Sequence, residues 1–519
     1  MDTDDRRRSQ DEPPSLWTAT EPRARHGPIE GDRSVDVAIV GGGIVGLSAG
    51  LVLQEAGLDV AILEARRVGR QVTGRSTAKV TSQHGLKYDF LRCTHGVEAA
   101  RLYAEANQAA VGAILQRSGT MAEHGIDVHV ERRTAYAYAT EGSAVESVRA
   151  EVDAAREAGL PARFETALAI PYPVAGAVAF DGQAQFDAYA YVEGLARQFA
   201  ERGAVFEETV VTDIEDGEDG APVRVRTHGG RTVSAGHVIV ATHLPFLDRG
   251  LYFLRTKPRT HAVLAARLGG SVPPGLLGGM FIAADQPTRS FRTFEDERGH
   301  GLVFLGESFT PGSRDTTALF SELEAEARER FSIGEVTHRW TNDDFDSVDG
   351  LPLVGPVLPG RDRVLVATGF GAWGISNGHV AGDILAGAVL GRPSAIGELF
   401  STTRFTPGAS WKKTLEEAVV SAKSLANRAW PGRTIHLDEI APGEAAVGEL
   451  NGERAAVSRD PDGTLQAVSA ICTHMGCVVG WNGAMRTWDC PCHGSSFSRD
   501  GKLLHGPAVH DLPAIDLDH

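Results

Sequence analysis

Cysteine is scarce in this chain: there are five among 519 residues, and four of them fall between Cys472 and Cys492. That count argues against a secreted disulfide framework. Positive charge is also in deficit, with 51 Lys and Arg against 68 Asp and Glu and a formal net charge of −17. Such a balance argues against nucleic acid or an anionic membrane surface as partner. Long uninterrupted apolar runs are missing too. Val37–Leu53 approaches the ~20 residues of a membrane span, but five glycines break it. Val364–Gly382 carries Thr368, Asn377 and His379. Arg6, Arg7 and Arg8 have no apolar segment behind them, so neither a Sec nor a twin-arginine signal fits. A cytoplasmic protein without a transmembrane anchor is expected. Residues 1–33 offer almost nothing apolar to bury and are expected to form a disordered leader.

What the chain does have is concentrated in three places. The first is the stretch Cys472–Phe497, where Cys472-Thr473-His474 and Cys490-Pro491-Cys492-His493 stand fifteen residues apart, Met475 to Asp489. Two thiolates and two imidazoles on two short loops have the spacing of metal ligands, and zinc would accept the same set. The surroundings add a second cysteine pair, Cys477 and Cys492, and a Gly494-Ser495-Ser496-Phe497 tail. With these the stretch resembles the Rieske [2Fe–2S] family, in which two cysteines hold one iron and two histidines the other. The resemblance implies Cys472, His474, Cys490 and His493 as cluster ligands and a loop-bridging disulfide between Cys477 and Cys492. It also implies a serine, here Ser495, that donates to a bridging sulfide, and a proline loop, here Gly506-Pro507-Ala508, that covers the cluster. Phe497 stands where high-potential relatives have tyrosine. A reduction potential inside the family's span of roughly −150 to +300 mV is therefore expected.

The second place is near the other end. Val35–Val40 is a short β-branched run of the kind a buried parallel strand shows. Gly41-Gly42-Gly43-Ile44-Val45-Gly46 follows, then a helix to about Gly57, a strand Val60–Leu63 and the acidic Glu64. In this order Gly41 makes the turn, Gly43 admits a pyrophosphate, Gly46 lets helix approach strand, and Glu64 accepts from a ribose hydroxyl. A dinucleotide is implied. Only one such unit is evident, which favours FAD over separate FAD and nicotinamide domains. Gly74–Gly85, with Ser76 and Thr77, looks like the flavin-cradling loop of the D-amino-acid-oxidase/glycine-oxidase superfamily.

The third place is Asp349–Gly378. A turn-rich approach leads to a strand, Val364–Thr368, and to Gly369-Phe370-Gly371-Ala372-Trp373-Gly374-Ile375-Ser376-Asn377-Gly378. A helix is expected from about His379 to Leu390. Gly369, Gly371, Gly374 and Asn377 are the candidates for main chain lying close to an isoalloxazine ring. A helix N-terminus there would favour anionic reduced flavin.

Together Gly74–Gly85, Ala367–Gly378 and Trp488–Phe497 are similar to bacterial flavoproteins that fuse an amino-acid-oxidase-like body to a C-terminal Rieske domain. The resemblance implies a two-part α/β flavoprotein. A Rossmann-like FAD-binding domain interleaves with an antiparallel-sheet substrate domain over 34–400. A linker helix follows over 401–432, then an all-β Rieske domain over 433–519. Helices are expected over 97–118, 144–159 and 187–203. Strands are expected at Val205–Glu208, Val210–Ile214 and Val238–Thr242. Arg292 falls roughly where related oxidases bind a substrate carboxylate, so it is the candidate catalytic-site cation. Lys257, Arg259 and His261 read as surface or ion-paired residues, Cys93 as a buried thiol and Glu322–Arg330 as a solvated helix face. The expected cofactors are FAD and a [2Fe–2S] cluster, and the expected partners are an amine or amino-acid substrate and a one-electron acceptor or donor protein. A flavin monooxygenase fed through the cluster, or a non-enzymatic electron carrier, are the alternatives that the sequence leaves open.

Overall fold

A computed structural model describes residues 13–20, 25–217, 220–270, 272–404 and 432–517. The strand Arg33–Val40 is central to the first sheet. Val37, Ala38 and Ile39 are completely buried, as a strand covered on both faces requires. It lies parallel to Val60–Leu63 on one side and to Thr232–Val240 on the other. Val364–Thr368 extends the sheet in parallel beyond Thr232–Val240, and Ala204–Phe206 does so beyond Val60–Leu63. Parallel strands bring their C-terminal ends to one edge, which is where ligands of such sheets sit. The helices Ile44–Glu55 and Gly374–Val389 pack together over this sheet at glycines. A Cβ on Gly382 would lie 2.7 Å from that of Ser48, and one on Gly378 2.8 Å from Ile44. Both helices therefore begin at the same edge.

The second sheet is mainly antiparallel. Its strands run in the order Ile333–Ser347, Thr256–Leu268, Gly299–Phe309, Ser290–Asp296, Gly279–Ala283, Glu131–Ala139, Gly176–Gln185 and Lys79–Val80. Segments of the two sheets alternate along the chain, the interleaving that the resemblance implies. The C-terminal region is a pair of small antiparallel sheets, Ala445–Leu450 to Leu465–Ser469 and Gly480–Asn482 to Leu503–His505. No helix among the described residues is long and apolar enough to cross a membrane.

Four expectations need correction or placement. The expected disordered leader is, over residues 13–20, part of the body. Ser15 donates to Gly74 O at 2.6 Å, Trp17 Nε1 donates to Ser76 O at 2.8 Å, and the indole is buried. One tryptophan outweighs the polar residues around it, because it has a cationic partner and a carbonyl to satisfy. The helix expected from His379 starts at Gly374, hidden because its first turn, Gly374-Ile375-Ser376-Asn377, holds a single apolar residue and shows no apolar period. Cys93 is exposed rather than buried. Of the linker helix expected over 401–432, residues 405–431 lie outside the described residues.

The two parts nevertheless meet directly. Gly480 and Gly312 touch main chain to main chain, so closely that a Cβ on Gly480 would lie 2.1 Å from Gly312 O. Thr316 Oγ1 donates to Asn482 Oδ1 at 2.7 Å and accepts from Ala484 N at 3.1 Å.

Candidate active site and metal centre

At the strand-end edge of the first sheet lies a cavity of about 660 Å³. Gly41 and Gly43 form part of its wall. Gly41 has φ 110°, and a Cβ there would lie 2.4 Å from Ala241 O, so only glycine fits. Gly46 does not line the cavity. A Cβ on it would meet Gly41 O at 2.1 Å, so its work is helix-to-strand packing. Glu64 lines the wall, accepting from Gly42 N at 2.8 Å and Arg66 N at 2.9 Å. Burial raises its carboxyl above the usual range against those two donors. Ser76 and Thr77 are also in the wall.

The opposite side carries His243, His261, Asn342 and Asp344. His261, expected at the surface or in an ion pair, is half-buried in the cavity wall, and desolvation lowers its pKa. The glycine-rich segment turns at Gly369, Gly371 and Ala372, with φ 77°, 59° and 67°. Ala372 donates its N–H to the Asp344 carboxylate. Trp373, Gly374, Ile375 and Ser376 then line the cavity at the start of the helix, where main-chain N–H groups have no intrahelical acceptor. Asn377 lies one step beyond, completely buried, and donates to Tyr103 Oη at 3.1 Å. The expectation that it meets the cofactor is corrected: it braces the helix from behind. His84 does the same for Trp373. Its ring stacks on the indole at 4.5 Å between centroids, and its Nε2 lies 3.0 Å from Ser376 Oγ. Burial pushes its pKa down to about 3, so it stays neutral.

Arg292 is the main correction among the candidate site residues. Its guanidinium is buried and is not in the cavity wall. Nε donates to Thr77 O at 2.6 Å, Nη2 to Phe186 O at 2.9 Å and Nη1 to Thr293 O at 3.4 Å. The Trp17 ring covers it at 4.6 Å. Arg292 lies on the expected strand, Ser290–Asp296, but its side chain is spent on main-chain carbonyls and carries structure. Arg292→Leu would strand three buried carbonyls at roughly 1–3 kcal/mol each. The expected outcome is a lower melting temperature, with the KM of the folded fraction unchanged. A raised KM at unchanged melting temperature would restore the carboxylate role.

In the C-terminal domain Cys472 and Cys490 are free and buried, and their sulfurs are within hydrogen-bond reach of each other. Main-chain N–H groups of His474 and Met475 face the first, and those of Cys492 and His493 the second. The His474 and His493 rings meet edge to face at 5.0 Å. Both ring nitrogens of His493 are buried without a hydrogen-bond partner, a cost of several kcal/mol of lost hydration unless something else binds them. Cys477 and Cys492 form a disulfide. Their sulfurs also approach that of Cys490, but they are spent on each other. Two thiolates, two imidazoles and an unpartnered buried ring fit a [2Fe–2S] cluster of Rieske type.

The cluster domain also reaches the cavity, which nothing in the sequence signals. Leu503–Val509 forms part of the cavity wall. His505 Nε2 lies 3.2 Å from His243 Nδ1, and His243 Nε2 lies 3.6 Å from Asp344. Elsewhere on the interface the His493 ring meets Phe253 at 5.3 Å. Gly494 backs onto Phe345, where a Cβ would be 3.5 Å from the ring, and Phe345 packs on His243 at 4.6 Å.

Residues 36–388 match the FAD dependent oxidoreductase family, and residues 432–516 match the Rieske [2Fe-2S] domain. The chain belongs to the FAD-dependent oxidoreductase family. A C-terminal Rieske domain completes this flavoprotein, and FAD and a [2Fe–2S] cluster are the cofactors its two parts imply. It is 32% identical over 509 residues to the putative Rieske 2Fe-2S iron-sulfur protein YhfW of Bacillus subtilis, covering 98% of each chain. The Rieske part alone is 40% identical over 79 residues to cytochrome b6-f complex iron-sulfur subunit 1 of Cyanophora paradoxa, 15% of this chain and 33% of that one. Glycine oxidase from Geobacillus kaustophilus superposes with a TM-score of 0.60 at 20% identity, over 72% of this chain and 99% of that one. L-amino acid deaminase from Proteus vulgaris does so at 0.58 and 18%, over 74% and 99%. At such identities the likeness is one of fold.

Proposed function

We propose that this flavoprotein oxidises a C–N bond of an amine or amino acid and hands the electrons singly, through its Rieske domain, to a protein acceptor. FAD, when bound, accepts a hydride from the carbon beside nitrogen, and a [2Fe–2S] cluster exchanges one electron at a time. The substrate gives up a hydride from carbon and a proton from nitrogen, two electrons and two protons in all, and the resulting imine takes up water to give a carbonyl and an amine or ammonia.

The observation that carries this reading is the run of contacts from Gly494, next to His493, through Phe345 and His243 to the cavity wall. It gives a two-electron site and a one-electron site a shared, packed boundary. The fold likeness to glycine oxidase and to an amino acid deaminase supports the substrate class.

The chain's own residues divide the remaining work. Gly41, Gly43, Glu64, Ser76, Thr77 and Gly374 would hold FAD, with Gly46, Gly369 and Gly371 shaping the main chain around it. The start of the helix Gly374–Val389 offers partial positive charge to whatever anionic group sits against it. Asp344 fixes that start through Ala372 N. Val263, Leu305, Phe370 and Ile375 line the cavity with apolar surface, which excludes water. Cys472 and Cys490 would hold one iron, and His474 and His493 the other. With Arg292 committed elsewhere, the reading rests on the C–N bond and needs no carboxylate on the substrate.

Anaerobic mixing with a panel of primary, secondary and N-methylated amines and amino acids tests it, watched at flavin and cluster absorption bands together. Flavin bleaching followed by cluster reduction is expected. A flavin that no member of the panel bleaches, but that turns over with oxygen when reduced ferredoxin is supplied, would replace this reading with a monooxygenase.

A further inference from the structure

The Rieske proline loop was expected to cover the cluster. It has a second face. Leu503–Val509 walls the same cavity as Gly41 and Glu64, and it is held rigidly in that position. On the body side, Arg66 Nη1 donates to Leu504 O at 3.2 Å, and Arg66 directly follows the Glu64-Ala65 corner of the nucleotide motif. On the cluster side, Leu503 N donates to Asp511 Oδ1 at 2.9 Å and Ala508 N to Ser495 Oγ at 3.0 Å. Leu504 and Ala508 are buried. This is a packed wall, not a flap resting on a surface.

The electrostatics of that wall point the same way. His505 is half-buried beside His243, Arg66 and Arg75, and desolvation and these neighbours together lower its pKa to about 3. The acids lining the cavity are Glu64, occupied by two main-chain N–H groups, Asp344, 3.6 Å from His243 and bonded to Ala372 N, Asp511, bonded to Leu503 N and Lys502, and Glu208, paired with Arg67. The Arg66 and Arg75 guanidinium groups give this corner its positive charge, and the two imidazoles 3.2 Å apart add ring nitrogens for hydrogen bonding. The chemistry that suits such a corner, beside a glycine-rich loop and a helix start, is a diphosphate.

We propose that the cluster domain is a structural half of the dinucleotide site: Leu503–Val509 closes the cavity over the Glu64–Arg66 end, and His505 binds FAD across the domain boundary. FAD then enters before the cluster domain docks and, once bound, holds that domain in place, because a ligand shared by two surfaces stabilises their contact by mass action. The fusion thus secures the cofactor as well as the electron outlet. This inference rests on the FAD assignment alone and stands whatever the substrate is.

Hydrogen–deuterium exchange on the full chain, stripped of FAD and then reloaded with FAD, tests the wall directly. Restoring FAD is expected to slow amide exchange about tenfold or more in Leu503–Val509 as well as around Gly41–Gly43. The second measurement is equilibrium FAD binding to His505→Ala by quenching of flavin fluorescence, with iron content and cluster absorption verifying an intact Rieske domain. An increase in Kd of about tenfold is expected. Exchange in Leu503–Val509 that ignores FAD, or a wild-type Kd in the variant, would overturn the proposal. Neither measurement contains substrate, so failure here leaves the amine-oxidation reading untouched, and the reverse.

Discussion

Cys490→Ser is expected to strip the chain of iron and acid-labile sulfide while leaving a flavin that amines still bleach. Cys490 is buried beside Cys472 and held by its own main-chain bond to Ser495 O at 2.7 Å. A serine there keeps the shape and removes a thiolate that the cluster requires. The Cys477–Cys492 disulfide continues to tie the two loops together, so the domain has a means of staying folded without its cluster. With FAD supplied in excess, single-turnover flavin reduction should stay near the wild-type rate. Steady-state turnover with a one-electron acceptor protein should fall about 100-fold or more, the scale on which metal sites respond to lost support. Unchanged turnover with that acceptor would mean that electrons leave the flavin by another route, and the relay would have to be abandoned.

The second large effect is expected from Gly41→Val. Any side chain at φ 110° is strained, at about 1–3 kcal/mol, and a Cβ would already lie 2.4 Å from Ala241 O. Either strand Arg33–Val40 shifts against Thr232–Val240 or the turn opens, and both outcomes move Gly42 N away from Glu64. Together these costs correspond to a loss of about 100-fold or more in FAD affinity. The protein should purify with its iron and sulfide but colourless in the flavin bands. Gly46→Val should act at the same place for a different reason, since its Cβ would press on Gly41 O at 2.1 Å from the helix side. A Gly41→Val protein that retains stoichiometric FAD would show that the cofactor does not use this turn.

The contrast between Arg292 and His505 shows where a sequence stops being readable. Arg292 sits in a strand with alternating character, and its position was legible. Which way its guanidinium faces depended on Thr77, Phe186 and Trp17, residues that reach it only through folding. His505 gave no signal at all. Its partner His243 is 262 positions away, and an isolated histidine carries no period or spacing that could announce a partner. Trp17 was lost for a related reason: surrounded by polar residues, it looked too little to order a segment, and only a ready-made cation and a free carbonyl make its burial favourable. Asn377 faces away from the cavity because its amide is held by Tyr103, 274 positions away in the chain.

By itself the sequence determined what short-range chemistry encodes. These are the strand, glycine turn, helix and acid from Val35 to Glu64, the Val364–Gly378 strand and glycine loop, and the Cys/His spacing with its flanking cysteine pair. Each depends on main-chain freedom or ligand spacing within a few tens of residues. Only the tertiary structure decided which of these surfaces share a cavity: that Leu503–Val509 closes the space beginning at Gly41, and that Phe345 and His243 lie between Gly494 and its wall. Such contacts come from burying whole faces of two domains against each other, a free energy summed over many residues that no single stretch of chain records.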